Sequence, residues 1–236
     1  IGGGTLKNLS TISLDSATSK YNSGVNIVLE NSGKIIFPVN CYFYLYNNAM
    51  IKNMASGIID FQSDSLITYS GSDAFSISNA GLITKTVGTG ISSIAPPVTN
   101  SGIIDAKIGT LQFADTFTLT NTVDGVIKGI ATIDLPAPAK FINNGTFAPG
   151  GLPGTLAVTG VYKSSSTSVL DVEINGLTQS TQYDLLAITG TNAVFEGKVK
   201  VTLGYDAKVG DKFTIATVSG TIDTKKLVTP IYGNYG

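Results

Sequence analysis

The sequence contains no arginine, no histidine and no tryptophan among its 236 residues. Without arginine, the chain lacks the planar group that binds phosphate, carboxylate or guanine through two parallel hydrogen bonds. Without histidine, it lacks the side chain on which Ser-His and Cys-His nucleophile pairs and most zinc sites depend. These absences exclude the common hydrolase triads and most metal chemistry, and we predict neither a metal nor a cofactor.

Charge is also scarce. Only 13% of the residues are charged and the formal net charge is −1, so no basic field attracts a polyanion and we predict no nucleic-acid partner. The sequence has no run of 18 apolar residues, and we predict no membrane insertion by this chain. Because it begins Ile1-Gly2-Gly3-Gly4, without an initiator methionine or a signal segment, we expect a piece of a longer protein.

The single cysteine, Cys41, has no partner for an intramolecular disulfide. It stands in an apolar, aromatic run, where a buried and unreactive thiol is the usual outcome. We therefore predict a structural role for Cys41, and cysteine usage leaves the cellular compartment open.

A repeated motif dominates what is present. Each copy has a turn of small or polar residues, then glycine, then β-forming residues. The copies are Asn31–Ile36, Ala55–Asp60, Asn79–Thr84, Asn100–Asp105, Val123–Ile127 and Asn143–Phe147. Their glycines, at 33, 57, 81, 102, 125 and 145, are separated by steps of 24, 24, 21, 23 and 20 residues. This regular period indicates an internal repeat architecture.

A step of 20–24 residues is the length of one coil of a three-sided parallel β-helix. Apolar residues alternate with polar ones inside each step, as expected of short strands. We predict an all-β, right-handed parallel β-helix in which Ile, Val, Leu and Phe of successive coils form inward columns. The glycines are interpreted as corner residues that adopt positive φ.

The second half has a different character. We predict β-helix coils over 1–147 and a continuation with wider coils and longer strands over 148–236, one such strand being Lys198–Leu203. A separate β-sandwich subdomain in the second half is the alternative.

At this point the chain resembles the passenger domains of bacterial autotransporters and related repeat adhesins. The matching segments are Asn143–Leu156, Thr159–Tyr162, Leu170–Gly176, Gln182–Gly190 and Glu196–Val201. Leu152 stands where that family usually has serine in its Pro-Gly-x-Ser-Pro-Gly motif. The resemblance implies a β-helix exposed outside the cell or on the bacterial outer surface.

One strand offers a candidate binding surface. In Cys41–Tyr46, a period of two directs Tyr42, Tyr44 and Tyr46 to one side and the other three residues to the opposite side. Aligned tyrosines can stack on sugar rings or anchor a protein partner. A tyrosine row that only packs against a neighbouring part of the protein is the competing interpretation.

We therefore predict a non-catalytic extracellular β-helix of a bacterial surface or secreted protein, which serves as a stalk or presents a face for attachment to host or surface glycans or proteins. Because parallel β-helices also include polysaccharide lyases and hydrolases, a carbohydrate-active protein is the alternative. Its acids would have to converge on one face. Asp60 and Asp105 follow the same Gly-Ile-Ile motif and could stack on one face, but the remaining acids are scattered.

Overall fold

A computed structural model describes residues 3–15, 21–71 and 74–228. These residues form strands joined by turns, and their only helix is a 3-10 turn at Pro138–Lys140. The strands are β1 (Gly4–Asn8), β2 (Thr11–Ser13), β3 (Tyr21–Val25), β4 (Ile27–Asn31), β5 (Lys34–Phe37), β6 (Tyr42–Tyr46), β7 (Met50–Asn53), β8 (Ile58–Phe61), β9 (Leu66–Ser70), β10 (Ser76–Asn79), β11 (Leu82–Lys85), β12 (Ile91–Ile94), β13 (Val98–Asn100), β14 (Ile103–Ala106), β15 (Thr110–Phe113), β16 (Leu119–Asn121), β17 (Val126–Gly129), β18 (Thr132–Asp134), β19 (Phe141–Asn143), β20 (Thr146–Pro149), β21 (Thr155–Thr159), β22 (Tyr162–Lys163), β23 (Val169–Ile174), β24 (Leu185–Thr189), β25 (Asn192–Leu203), β26 (Ala216–Val218) and β27 (Thr221–Val228).

The strands stack as a three-sided parallel β-solenoid. Sheet A has the order β1-β4-β7-β10-β13-β16-β19, and sheet C has the order β26-β24-β21-β18-β15-β12-β9-β6-β3. Sheet B has the order β2-β5-β8-β11-β14-β17-β20-β23-β25-β22, and β27 also pairs with β25. From β1 to β21, each turn contributes one strand to sheet A, then one to B and one to C, which makes seven complete turns. The predicted parallel β-helix is confirmed.

The core consists of columns of inward side chains, one residue per turn. The register of sheet B aligns isoleucines at 12, 35, 59, 83, 104 and 127, followed by Phe147, Leu170 and Val199. Sheet A contributes the column Leu29, Ile51, Ile77, Val98, Leu119 and Phe141, all of them buried. Each turn therefore covers apolar surface that its neighbour cannot bury alone.

Sheets B and C continue from the first half of the chain into the second. β20 pairs in parallel with β23, and β21 pairs in parallel with β24. Strands up to β20 have three to five residues, whereas β25 has 12. β23, β25 and β27 are thus longer than the strands of the first half, as the alternating pattern predicts, whereas β22 and β26 have only two and three residues.

The explanation of the repeated glycines by positive φ is wrong. None of the six has a positive φ. Each lies instead against the backbone of the preceding turn: a Cβ at Gly81 would be 2.2 Å from the Gly57 oxygen, and a Cβ at Gly33 would be 1.9 Å from the Ser10 oxygen. Glycine recurs because a side chain at this corner would occupy the space of a neighbouring main chain.

Candidate functional site

The tyrosine row lies on β6 in sheet C. Cys41, Phe43 and Leu45 are buried in the core, while the three tyrosines face outward and are half-buried. The alternation expected from period two is therefore present. The proposed role of Tyr42, Tyr44 and Tyr46 in ligand binding stays a prediction.

The three tyrosine rings pack against one another along the strand. The Tyr44 and Tyr46 ring centroids are 5.6 Å apart with planes inclined by 24°, and those of Tyr42 and Tyr44 are 6.3 Å apart with planes inclined by 39°. Separations in this range fit offset aromatic stacking. The row is therefore a short aromatic ridge in which neighbouring rings contact each other, and it is not three independent flat plates.

Cys41 is fully buried beneath this ridge. Its Sγ lies 3.0 Å from the carbonyl oxygen of Leu14, and burial raises the pKa of the thiol. The predicted burial of Cys41 is confirmed, and its lack of reactivity stays a prediction.

A ladder of asparagines runs along the inner edge of sheet A, and sequence reasoning missed it. One asparagine ends the sheet A strand of every turn, and all are buried. They are Asn8, Asn31, Asn53, Asn79, Asn100, Asn121 and Asn143. The Nδ2 of each asparagine from Asn8 to Asn121 donates to the Oδ1 of the next one, over distances of 2.6 to 2.9 Å. The amides thus satisfy one another in a polar column within the solenoid.

The ladder ends at Asn143. Ser164 occupies the next position, and its hydroxyl is already bonded to the backbone nitrogen and oxygen of Glu196, at 2.8 and 3.0 Å. The Nδ2 of Asn143 consequently has no asparagine acceptor in the next turn. Tyr162, whose pKa is raised by complete burial, packs in the same turn and contacts Phe147 and Phe195. Aromatic packing replaces amide pairing from this turn onward.

A buried lysine is the second polar feature of the interior. Lys85 continues the inward column of Phe37 and Phe61, and its side chain is 0% exposed. Its Nζ lies 2.7 Å from Asp64 Oδ1, 2.9 Å from Ser92 Oγ and 3.4 Å from the Ser63 carbonyl oxygen. Three acceptors match the three donors of the ammonium group, so this cluster satisfies a buried charge.

The two members of this ion pair should respond differently to mutation. The Asp64 side chain is 39% exposed, so a Lys85→Met variant leaves a carboxylate that water solvates, and we expect a change within about 1 kcal/mol in the free energy of unfolding. Asp64→Ala leaves a buried ammonium without its counter-charge, and we expect a loss of about 3 kcal/mol. Urea unfolding of both variants measures the difference. Equal losses would show that Lys85 does not carry a buried, pair-dependent charge.

No family model, curated protein or solved structure matches the chain. In the ranges that the structure describes, no helix is long and apolar enough to cross a membrane. The same residues contain no group of three or more His, Cys, Asp or Glu side chains placed to hold a metal ion. Function must therefore be argued from the geometry of the solenoid itself.

The acids Asp60 and Asp105 do share one outward column of sheet B, but Thr84 lies between them. Asp60 accepts hydrogen bonds from Gln62 and Thr86, at 2.8 and 2.6 Å. Asp105 is buried, and this burial raises its pKa against the opposing effect of nearby lysines. Each carboxylate is therefore engaged locally, and the two stand two strands apart in this column.

Another buried acid explains the Pro-Gly segment of the family-like motif. Asp184 accepts hydrogen bonds from the backbone nitrogens of Gly154 and Glu173, at 2.9 and 2.8 Å. Burial raises its pKa, and the two N–H groups oppose that effect. A Cβ at Gly150 would be 2.6 Å from Asp184 Oδ1. The Pro-Gly loop and the later Tyr-Asp-Leu segment thus meet in space, and Asp184 stabilises the loop.

Proposed function

We propose that this protein is a non-catalytic structural and adhesive β-solenoid of a bacterial surface or secreted protein. The observation that carries the proposal is the unbroken stack. Seven complete turns share aliphatic columns and a continuous asparagine ladder, and the polar groups inside serve one another. Such an interior stabilises a shape, and the strand acids Asp60, Asp134 and Asp171 have local hydrogen-bond partners.

The stack gives the protein an elongated form. Nine strands of sheet C at the usual spacing between paired strands make a face about 38 Å long. A parallel sheet with continuous inward columns resists bending, because every turn is bonded along its strands to the turns on either side. A rod of this kind projects the groups on its outer faces.

The resemblance to autotransporter passengers supports an extracellular location. The segments that carry it, over roughly 141–218, include the loop that Asp184 stabilises. They are consequently explained as structural elements of the solenoid, and they favour a surface-exposed stalk over a catalytic site.

Attachment is assigned to the tyrosine row, with host or surface glycans or proteins as partners. Changing Tyr42, Tyr44 and Tyr46 together to serine removes the ridge, and we expect at least a tenfold loss of binding to target cells, about 1.4 kcal/mol. Fluorescence counting of bound, labelled protein measures this. The fold should persist, because the tyrosines face outward.

Two controls make the adhesion result specific. A triple change of the same residues to phenylalanine keeps the rings and separates ring contacts from hydroxyl contacts. Ile142→Ser removes an apolar side chain that is 45% exposed on sheet A, and it should leave binding unchanged. Unaltered adhesion by the triple serine variant would remove the tyrosines from the binding surface.

The non-catalytic part of the proposal has its own test. The protein is incubated with a panel of neutral and acidic polysaccharides, and new reducing ends and unsaturated products are measured. We expect neither. Product formation that depends on the protein would instead identify a carbohydrate-active β-helix.

A further inference from the structure

Charge is distributed very unevenly over the three outer faces. The outward side chains of sheet C, over the described strands from β6 to β26, are Tyr42, Tyr44, Tyr46, Leu66, Thr68, Ser70, Ile91, Ser93, Thr110, Gln112, Thr132, Asp134, Thr155, Ala157, Thr159, Leu185, Ala187, Thr189 and Thr217. Asp134 is the only charged residue among them. Most of the others carry a hydroxyl group, and the remainder are Gln112, two alanines and the larger apolar residues Leu66, Ile91 and Leu185.

The other two faces differ. Sheet B carries outward charges at Lys34, Asp60, Asp105, Lys128, Asp171, Glu173, Lys198 and Lys200. Sheet A carries Lys7, Glu30 and Lys52 on its first three strands, and the charged groups of Glu30 and Lys52 lie 3.6 Å apart. The outward residues of its later strands, β10 to β19, are uncharged. Sheet C thus carries a single outward charge, Asp134, on the strands from β6 to β26, and it is also the face that bears the tyrosine ridge.

A column of outward side chains on sheet C begins at Tyr42 and crosses the strands, at right angles to the ridge, which runs along β6. This column follows the solenoid axis from Tyr42 through Leu66, Ser93, Gln112, Asp134 and Thr159 to Thr189. The single carboxylate in it is held by neighbours in the column, since Gln112 Nε2 donates to Asp134 over 2.7 Å and the Thr159 hydroxyl donates to the other oxygen.

An open groove adjoins the far part of this column. It has a volume of about 530 Å³ and is lined by Gln112 and two carboxylates, Asp115 and Asp134, together with Pro136, Pro138 and Val161. Tyr42 and Asp134 are four strands apart, which corresponds to about 19 Å. A ligand that contacts both ends must be an extended chain.

We propose that sheet C binds an uncharged polysaccharide, extended along the solenoid axis from the tyrosine ridge toward the groove beside Asp134. This inference rests on the proposed adhesive function and names its ligand class. An uncharged chain of hydroxyl-bearing rings matches a face that offers hydroxyls, an amide and aromatic edges. A polyanion would find no cation on the outward strand positions of this face, and a charged protein surface would lose hydration without gaining ion pairs.

The experiment measures binding of the purified protein to two sets of probes. The neutral set is mannan, amylose and laminarin, and the anionic set is alginate, polygalacturonate and heparin. Titrations at about 0.05 M and about 0.5 M salt separate uncharged recognition from ionic attraction, which salt screens. We expect at least one neutral polymer to bind with an affinity that salt changes less than twofold, and short fragments of it to bind more weakly.

Two matched variants locate the binding face. Thr132 on sheet C and Thr120 on sheet A are both half-buried, outward threonines of the same turn. We expect Thr132→Lys to weaken binding of the neutral polymer at least tenfold, because the ligand would have to desolvate an ammonium group. Thr120→Lys should leave the affinity unchanged. Circular dichroism of both variants controls for folding.

Three results would overturn the inference. Salt-sensitive binding of the anionic set alone would assign recognition to the charged faces. Equal effects of the two lysine variants would remove sheet C from the binding face. Self-association that Thr132→Lys abolishes, seen by light scattering, would make a second copy of the chain the occupant of sheet C. If the protein adheres to cells but binds none of the polysaccharides, the proposed ligand class is wrong and the adhesive function stands. If it neither adheres to cells nor binds a polysaccharide, both proposals are wrong.

Discussion

Replacing Gly81 by alanine is expected to lower the free energy of unfolding by about 3 kcal/mol or more, or to prevent folding. The new Cβ would lie 2.2 Å from the carbonyl oxygen of Gly57 and 2.3 Å from that of Met54. Both contacts involve main chain that is bonded to a neighbouring turn, so neither atom can move without disturbing the stack. Urea unfolding monitored by circular dichroism measures the loss.

Gly4→Ala is the matched control for this substitution. No atom lies within 4 Å of a Cβ at Gly4, and we expect a change within about 0.5 kcal/mol. A Gly81→Ala protein as stable as the wild type would show that the turns do not approach as closely as described. It would also remove the explanation of the repeated glycines.

Removing one amide from the middle of the asparagine ladder should also lower the free energy of unfolding. Asn100→Ala deprives Asn79 Nδ2 of its acceptor at 2.6 Å and Asn121 Oδ1 of its donor at 2.8 Å. Asn79 Nδ2 keeps the carbonyl oxygens of Gly81 and Ile103, at 3.3 and 3.2 Å, whereas Asn121 Oδ1 loses its donor. A buried polar group without a partner costs about 1–3 kcal/mol, and we expect a loss of about 2 kcal/mol. Urea denaturation measures it, and hydrogen exchange of the turns on either side should accelerate.

Asn144→Ala controls for the loss of an asparagine as such. Asn144 follows the last member of the ladder but is half-buried and lies outside the column. We expect a change within about 0.5 kcal/mol. Similar losses for the two variants would indicate that the ladder amides contribute no more than ordinary corner residues.

The fold could be predicted from the sequence because its signals are local and repeated. Glycine spacing gives the length of one turn, and period-two alternation gives the inward face of each strand. The same alternation places Tyr44 outward and Cys41 inward, as the structure has them. These two signals are nearly sufficient to predict a solenoid, because each turn contacts only the turns beside it.

The interior polar groups could not be predicted by following glycine alone. Two residues are inserted between Asn53 and Gly57, and again between Asn121 and Gly125, so alignment on the glycines hides the asparagine column. Aligning the asparagines that end each short strand would have found it. The inward direction of Lys85 could have been predicted by the same kind of comparison, because Lys85 lies two residues after Ile83, whose side chain points into the core. The ligand-binding role of the tyrosines cannot be derived from such patterns, which report only the direction of a side chain.

The corner between each ladder asparagine and the following glycine varies in length, and this variation has a practical consequence. Where two residues are inserted, the glycine N–H closes a tight turn onto the carbonyl of Met54 or Thr122, at 2.7 and 2.9 Å, and the amide column continues unchanged beside it. The corner after each asparagine thus absorbs added length without disturbing the hydrogen bonds beneath it. Foreign peptides grafted between Asn53 and Gly57 should be carried on the outside of the rod, which makes this site a natural position for epitope display.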